Sequence, residues 1–274
     1  MLRFSVNQDT CIKCGECVAD CINSVIEMVD EFPVVNPEKE GRCIECQHCM
    51  AICKPGALSI FGLNPADSIP LKNNYPDPAK VETLMMGRRS TRRYNDEPVD
   101  SALLDRIMEV VRNAPTGVNR RQTLFTVVED RAAMDALRKG TYEGLRKAVD
   151  AGSLPPGLEF FSGIADAWDN GVDILYRGAP HFIVASGPTD GPSTVPDTLI
   201  ALSYFELLAN SHGLGTVWDG LAKWALTAIA PDAAAMLNIP ADHTIGYMMA
   251  FGKPAVKYHR TVQRPGGTVH KVTV

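Results

Sequence analysis

All eight cysteines of this 274-residue chain fall between positions 11 and 53, and they fall there twice in one pattern. Cys11, Cys14, Cys17 and Cys21 recur 32 residues later as Cys43, Cys46, Cys49 and Cys53. Flanking residues repeat with them: Ile12 matches Ile44, Val25 matches Ala57, Ile26 matches Leu58 and Met28 matches Ile60. In CxxCxxCxxxC, three thiolates fold around one face of an iron–sulfur cubane, and the fourth leaves on the adjoining helical turn to reach a second cluster. Two copies therefore specify two [4Fe–4S] centres with crossed ligation. Cys11, Cys14, Cys17 and Cys53 are expected to hold one; Cys43, Cys46, Cys49 and Cys21 the other. CxxC pairs also bind zinc, but zinc sites seldom use three cysteines at successive two-residue gaps. A disulfide framework would not leave every residue after position 53 free of cysteine.

A segment of this size buries too small a core to be stable without metals or other staples, so its cofactors are expected to be part of its fold. The whole chain is longer than one typical domain of about 100 to 200 residues, which predicts two unequal domains. Twenty-seven basic against 32 acidic residues give a net charge of −5, too acidic for a dedicated nucleic-acid binder. The N-terminus, MLRFSVNQDT, lacks the apolar run of a signal peptide. No stretch reaches the ~18 apolar residues of a membrane helix. The expected location is the cytoplasm.

After Phe61 the chain enters LNPADSIPLKNNYPDP, where Pro65, Pro70, Pro76 and Pro78 block helix interiors and sheet ladders alike. This predicts a small cysteine-bearing domain over 1–62, an extended linker over 63–78 and a second domain over 79–274. Apolar residues at three- and four-residue spacing predict helices over 79–87 and 101–113. LFTVVE at 124–129 reads as a strand followed by Asp130, an N-cap for a helix through Leu137. HFIVAS at 181–186 and IGYMMAFG at 245–252 read as strands, and residues 197–210 as a long apolar helix. The order predicts an α+β fold, a mixed sheet with flanking helices. Trp168 and Trp224 are expected to pack rather than to serve a site.

Over residues 1–62 the sequence resembles the bacterial two-cluster ferredoxin family. It departs from the family pattern after the fourth cysteine of each repeat, where Ile22 and Lys54 stand in place of the usual proline, with Pro55 one position later.

Three later motifs are weak singly. RRSTRRY at 88–94 sets four arginines around Ser90; guanidinium forks suit a phosphate dianion, though alone the segment reads as a solvated basic face. APTGVNRRQ at 114–122 looks like a helix stop and turn, and HGLGTVWDG at 212–220 is glycine-rich without the dinucleotide GxGxxG. Taken in order with GAPHFIVAS, FGKP at 251–254 and YHRTVQRP, they resemble the FMN-dependent nitroreductase family over about residues 80–274, and in particular its ferredoxin-fused branch.

The resemblance implies a homodimer with FMN at the subunit interface. Arg88, Arg89, Ser90 and Arg92 match the segment that holds the phosphate and ribityl chain. Pro115, Thr116 and Gly117 match the turn that a partner subunit lays against the flavin, and Asn119 an asparagine of the same motif. Val217, Trp218, Asp219 and Gly220 match the stretch facing the isoalloxazine, with the Asp219 amide near N5. Arg264 best matches the terminal phosphate arginine, with Arg260 a close competitor. Arg121 stands where many members have glutamine. No side chain is then needed as a nucleophile, because FMN carries the chemistry.

The implied activity is reduction of a nitroaromatic, quinone, enone or similar conjugated acceptor. Electrons would enter through the two clusters from a low-potential donor protein. A flavin relay or redox sensor acting on a protein partner is an alternative, as is reverse flow from substrate to ferredoxin.

Overall fold

The computed structural model describes Leu2–Thr273. The chain divides into two compact units: one runs to Pro76 and includes Val118–Arg120, and the other takes in Asp77–Gly117 and the chain beyond Arg121.

In the first unit the sequence repeat becomes a backbone repeat. β1 (Phe4–Val6) pairs antiparallel with β4 (Leu58–Ile60), and β2 (Ile26–Val29) with β3 (Phe32–Val35). One helical turn carries the third cysteine of each motif, α1 (Glu16–Ala19) and α2 (His48–Ala51). Lys13 and Glu45 share φ near 55°, Gly15 and Gln47 are both left-handed, and so are Ser24 and Gly56; each pair is one repeat apart. Left-handed residues alternating with the cysteines turn the sulfurs inward, a conformation that costs little at glycine and more at Lys13, Glu45 and Gln47.

Val25 and Ala57 are buried, as are Ile26 and Leu58, but Met28 is 38% exposed where its counterpart Ile60 is buried. The repeat therefore breaks at its outer edge. Cys17, Ile26, Cys49, Met50, Leu58 and Ile60 form the core.

The second unit is built on a four-stranded sheet in the order β5-β6-β8-β7, comprising β5 (Leu124–Val128), β6 (His181–Pro188), β7 (Gly215–Trp218) and β8 (His243–Gly252). All three ladders are antiparallel; among the described residues a parallel bridge, Ser90–Thr216, makes the sheet mixed at its edge.

Side chains alternate across a strand, and both central strands are buried on both faces. Phe182, Val184, Met248 and Ala250 enter one core with α5 (Arg131–Asp150), α6 (Phe161–Asp169), α8 (Gly220–Trp224) and α9 (Pro231–Ala235). Ile183, Ala185, Met249 and Phe251 enter a second with α4 (Ser101–Val111) and α7 (Thr194–Ser211). Between α8 and α9 lies a π-helical turn, Ala225–Ile229. α3 (Pro78–Gly87), with Pro78 at its first turn and Asp77 as N-cap, buries no residue.

Two expectations change. The helix begun at Asp130 does not end near Leu137 but continues to Asp150, and β7 lies inside a glycine-rich run that carries no strand pattern. Trp168 packs as expected, stacked 4.2 Å from Tyr142, whereas Trp224 is 48% exposed and meets Phe160 edge-on. No helix of the described residues is long and apolar enough to cross a membrane.

Candidate functional site

In the first unit the cysteines sort into two sets. One cavity is lined by Cys11, Cys14, Cys17 and Cys53, with Ile12, Pro33, Pro55 and Leu58 around them. A second is lined by Cys21, Cys43, Cys46 and Cys49, with Ile22, Ile26, Ile44 and Ile60. Each set draws three cysteines from one repeat and one from the other, the grouping the spacing predicts. Among the described residues no three such side chains close on a point as they would for a single ion; the sulfurs ring an apolar cavity.

The electrostatics follow the same division except where Cys17 and Cys49 act across it. Burial raises the Cys17 thiol first, then Cys53, Cys14 and Cys11 raise it further. Burial raises Cys43, followed by Cys46 and Cys21. Burial pushes Cys49 up to about 11, helped by Cys46, Cys17 and Cys21. Crowded thiols in a dry pocket resist ionisation, and a cationic iron site reverses that balance. The two crossing cysteines have matched donors: Val25 N–H to Cys21 Sγ at 3.4 Å and Ala57 N–H to Cys53 Sγ at 3.2 Å.

In the second unit, Glu206 on α7 brings predicted flavin residues together. Arg88, directly after α3, donates from Nη1 to Glu206 Oε1 at 3.2 Å. Trp218 Nε1 donates to Glu206 Oε2 at 3.1 Å. Ser90 forms the bridge to Thr216, reinforced by Thr91 N–H to Thr216 O at 2.8 Å. Gly215 must be glycine because a Cβ there would lie 2.3 Å from Thr91 Oγ1. Arg88, Ser90, Val217 and Trp218 are thus brought together at one sheet edge.

Arg89 folds back instead, its guanidinium donating to the carbonyls of Arg88 and Met86, and Arg92 is exposed. Arg260 and Arg264 lie in the exposed tail, tied near its start by Tyr258 Oη to Ser90 O at 3.5 Å.

The Pro115–Gly117 turn sits elsewhere on α7. Gly117 N–H donates to Asp197 Oδ1 at 3.0 Å, and a Cβ on Gly117 would meet Ser193 Cβ at 2.8 Å. Asp197 and Glu206 are nine residues apart, roughly 14 Å along the helix at its usual rise of ~1.5 Å per residue. Thr116 Oγ1 accepts from Arg121 N–H, and Asn119, grouped with the first unit, donates from Nδ2 to Ile44 O at 2.7 Å.

The Asp219 N–H donates to Met248 O at 3.0 Å, continuing the pairing with β8 one residue beyond β7.

A family model, "Nitroreductase family", matches residues 85–253. The chain belongs to the nitroreductase family. A second, "4Fe-4S dicluster domain", matches residues 10–58 of this nitroreductase-family chain. It is 27% identical to a protein of Thermus thermophilus named NADH dehydrogenase, over 64% of this chain and 87% of that relative. A nitroreductase with bound FMN from Bacteroides fragilis superposes with TM-score 0.57 at 20% identity, covering 70% of this chain and 99% of its own. A nitroreductase with bound FMN from Desulfitobacterium hafniense gives 0.56 at 22%, covering 71% and 98%. These likenesses show the fold.

Two residues of this nitroreductase, Glu206 and the carboxyl of Asp219, stand outside the sequence motifs' expected roles. Glu206 has a signal, a lone carboxylate inside the apolar run LIALSYFELLAN. Asp219 matches the family pattern through its backbone alone. Its side chain is 5% exposed; Oδ1 caps α8 by accepting Ala222 N–H at 2.9 Å, and Oδ2 has no partner among the described residues. Burial, then the charge of Asp173, pushes its carboxyl up to about 7, against the pull of the Ala222 N–H and Arg177.

Proposed function

We propose that this nitroreductase-family chain is an FMN oxidoreductase fed through two [4Fe–4S] clusters, working as a homodimer in the cytoplasm on small conjugated acceptors such as nitroaromatics, quinones or enones. The observation that carries the reading is the sorting of eight cysteines into two crossed sets around separate apolar cavities, in one chain with a nitroreductase fold. The donor sets fit the cofactors: four sulfurs per cavity with an N–H to each crossing sulfur, and a guanidinium, a serine and an indole at one sheet edge. Once bound, the clusters would supply one-electron transfer and FMN two-electron chemistry.

The residues divide the work. Arg88 and Ser90 are suited to the phosphate and ribityl chain. Arg260 or Arg264, carried by the tail, adds a second cation for the phosphate. Val217, Trp218 and Gly220 border the ring. The Pro115–Gly117 turn, held at the other end of α7, suits a flavin bound mainly by the second subunit, which is the argument for the dimer; in a two-fold dimer each α7 then serves two sites.

The Thermus relative's name favours a second reading, direct hydride transfer from NADH. Reduction of a quinone by reduced ferredoxin, and separately by NADH, should be measured on FMN-loaded protein and on Cys14→Ser/Cys46→Ser. Under the proposal, ferredoxin-driven turnover falls by at least a hundredfold in the variant, while chemically reduced flavin still turns over. Efficient NADH turnover that is equal in both proteins would establish the second reading instead.

A further inference from the structure

Glu206 is a buried carboxylate of the second unit shared by three donors, and no motif points to it. Its side chain is 9% exposed. Oε1 accepts from Arg88 Nη1 and from Thr216 Oγ1, both at 3.2 Å, and Oε2 accepts from Trp218 Nε1 at 3.1 Å. Thr216 Oγ1 itself accepts from Asn210 Nδ2 at 3.2 Å, which leaves its one proton for Glu206.

Three donors therefore converge on two oxygens. We propose that Glu206 is a positioning residue that sets Arg88 and Trp218 together, so that the group which meets the flavin phosphate and the group which borders the flavin ring are aimed by one carboxylate. This rests on the reading that Arg88 and Trp218 line the FMN site.

Among the described residues Glu206 is the side-chain hydrogen-bond partner of both arms. Arg88 follows a helix that buries no residue, and its guanidinium is oriented by this ion pair. Glu206 takes one of its five N–H groups and leaves the remainder of the fork for a dianion. The Trp218 indole crosses the edge of Tyr247 at 5.3 Å, a contact compatible with several tilts; the hydrogen bond to Oε2 selects one.

The chemistry also requires a carboxylate. Arg88 and Trp218 are donors only. A glutamine of the same shape turns its NH2 toward one of the two whichever way it flips. The guanidinium then holds a neutral carbonyl in place of a carboxylate, a weaker grip, and the indole loses its acceptor.

The test is titration of deflavinated protein with FMN and with riboflavin, for the natural chain, Arg88→Gln, Glu206→Gln and the double variant, with visible circular dichroism of the bound flavin. Arg88→Gln should weaken FMN about tenfold or more and riboflavin little, as expected for one charge-assisted contact. Glu206→Gln should weaken both flavins, reduce the preference for FMN over riboflavin and change the flavin dichroism. The double variant should lose no more of that preference than Arg88→Gln alone, the non-additivity of coupled groups. Natural preference and natural dichroism in Glu206→Gln, or preference losses that multiply in the double variant, overturn the inference. If Arg88→Gln keeps the full preference for FMN, the phosphate lies elsewhere and the site reading itself fails. Should Glu206→Gln not fold, Trp218→Phe removes one arm: altered dichroism with unaltered preference supports the inference, and unaltered dichroism overturns it.

Discussion

The two units solve the same problem by different means. In the second, Phe182, Val184, Ile183 and Ala185 on one strand are fully buried against helices on both faces of the sheet, and apolar burial supplies the driving force. In the first, two of the six residues at the centre of the core are the cluster cysteines Cys17 and Cys49, and its strands are three or four residues long. Where a core is built around ligands, metal binding is folding free energy. The lesson is that the same chain should fail in two unrelated ways.

The sharpest break of that contrast is iron removal. Chelation under reducing conditions should erase hydrogen-exchange protection throughout β1, β4, α1 and α2 and leave β6 and β8 protected; loss of protection in both units would mean one cooperative fold. Phe182→Ala should do the reverse, costing about 3–5 kcal/mol in the second unit, measured by denaturant unfolding, with iron content unchanged. Gly144→Ala is smaller. A Cβ there would lie 2.6 Å from Ala230 Cβ, and overpacking of this kind costs about 1–3 kcal/mol, read as a lower Tm of the second unit alone.

The smallest effect is on pH. Asp219 has a folded pKa of about 7, above its ordinary 3.8, chiefly through burial. Its contribution is therefore full below 3.8 and is lost as pH rises through 7, about 1 kcal/mol of it between pH 6 and 8. His181 acts oppositely. Burial lowers its pKa from 6.5, and Nε2 accepts Val99 N–H at 2.8 Å, so its contribution is present above 6.5 and is lost as pH falls toward the folded value. Calorimetry across pH 5 to 9 should show the second unit's Tm falling as pH rises through 7, while below 6.5 the two contributions oppose each other. Asp219→Asn, which keeps the capping oxygen, should flatten the fall through pH 7 and leave the His181 loss unopposed on the acid side; an unchanged slope through pH 7 would contradict the assignment.

What the sequence reveals also differs between the units. Cysteine spacing carries its geometry with it, so both crossed sets are legible in the residue order alone. β6 and β8 are legible as well, because two-sided burial writes a continuous apolar run. α5 reads as ending near Leu137 because Gly140 and Gly144 follow, and glycine ordinarily weakens a helix. Those glycines are contact points: Gly144 faces Ala230, and Gly140 faces Met236 Sδ and Ala233. Glu206 shows in the sequence only as a lone carboxylate in an apolar run, and its role, like that of Asp197, is illegible because their partners, Arg88, Trp218 and Gly117, lie away from them in sequence. The engaged amide of Asp219 depends on where β7 stops pairing, which no motif encodes.

The exchange of Cys21 and Cys53 between the two cavities has a consequence for inheritance. A duplicated segment normally leaves one copy free to decay. Here each copy lends its fourth cysteine to the cavity lined by the other's first three, and the N–H groups that serve those two sulfurs come from Val25 and Ala57, one in each copy. Under the proposed ligation, deleting either half would strip a sulfur from the cluster of the survivor. The two halves would then persist or vanish together, and a substitution near Cys21 would be felt first at the cavity lined by Cys43, Cys46 and Cys49.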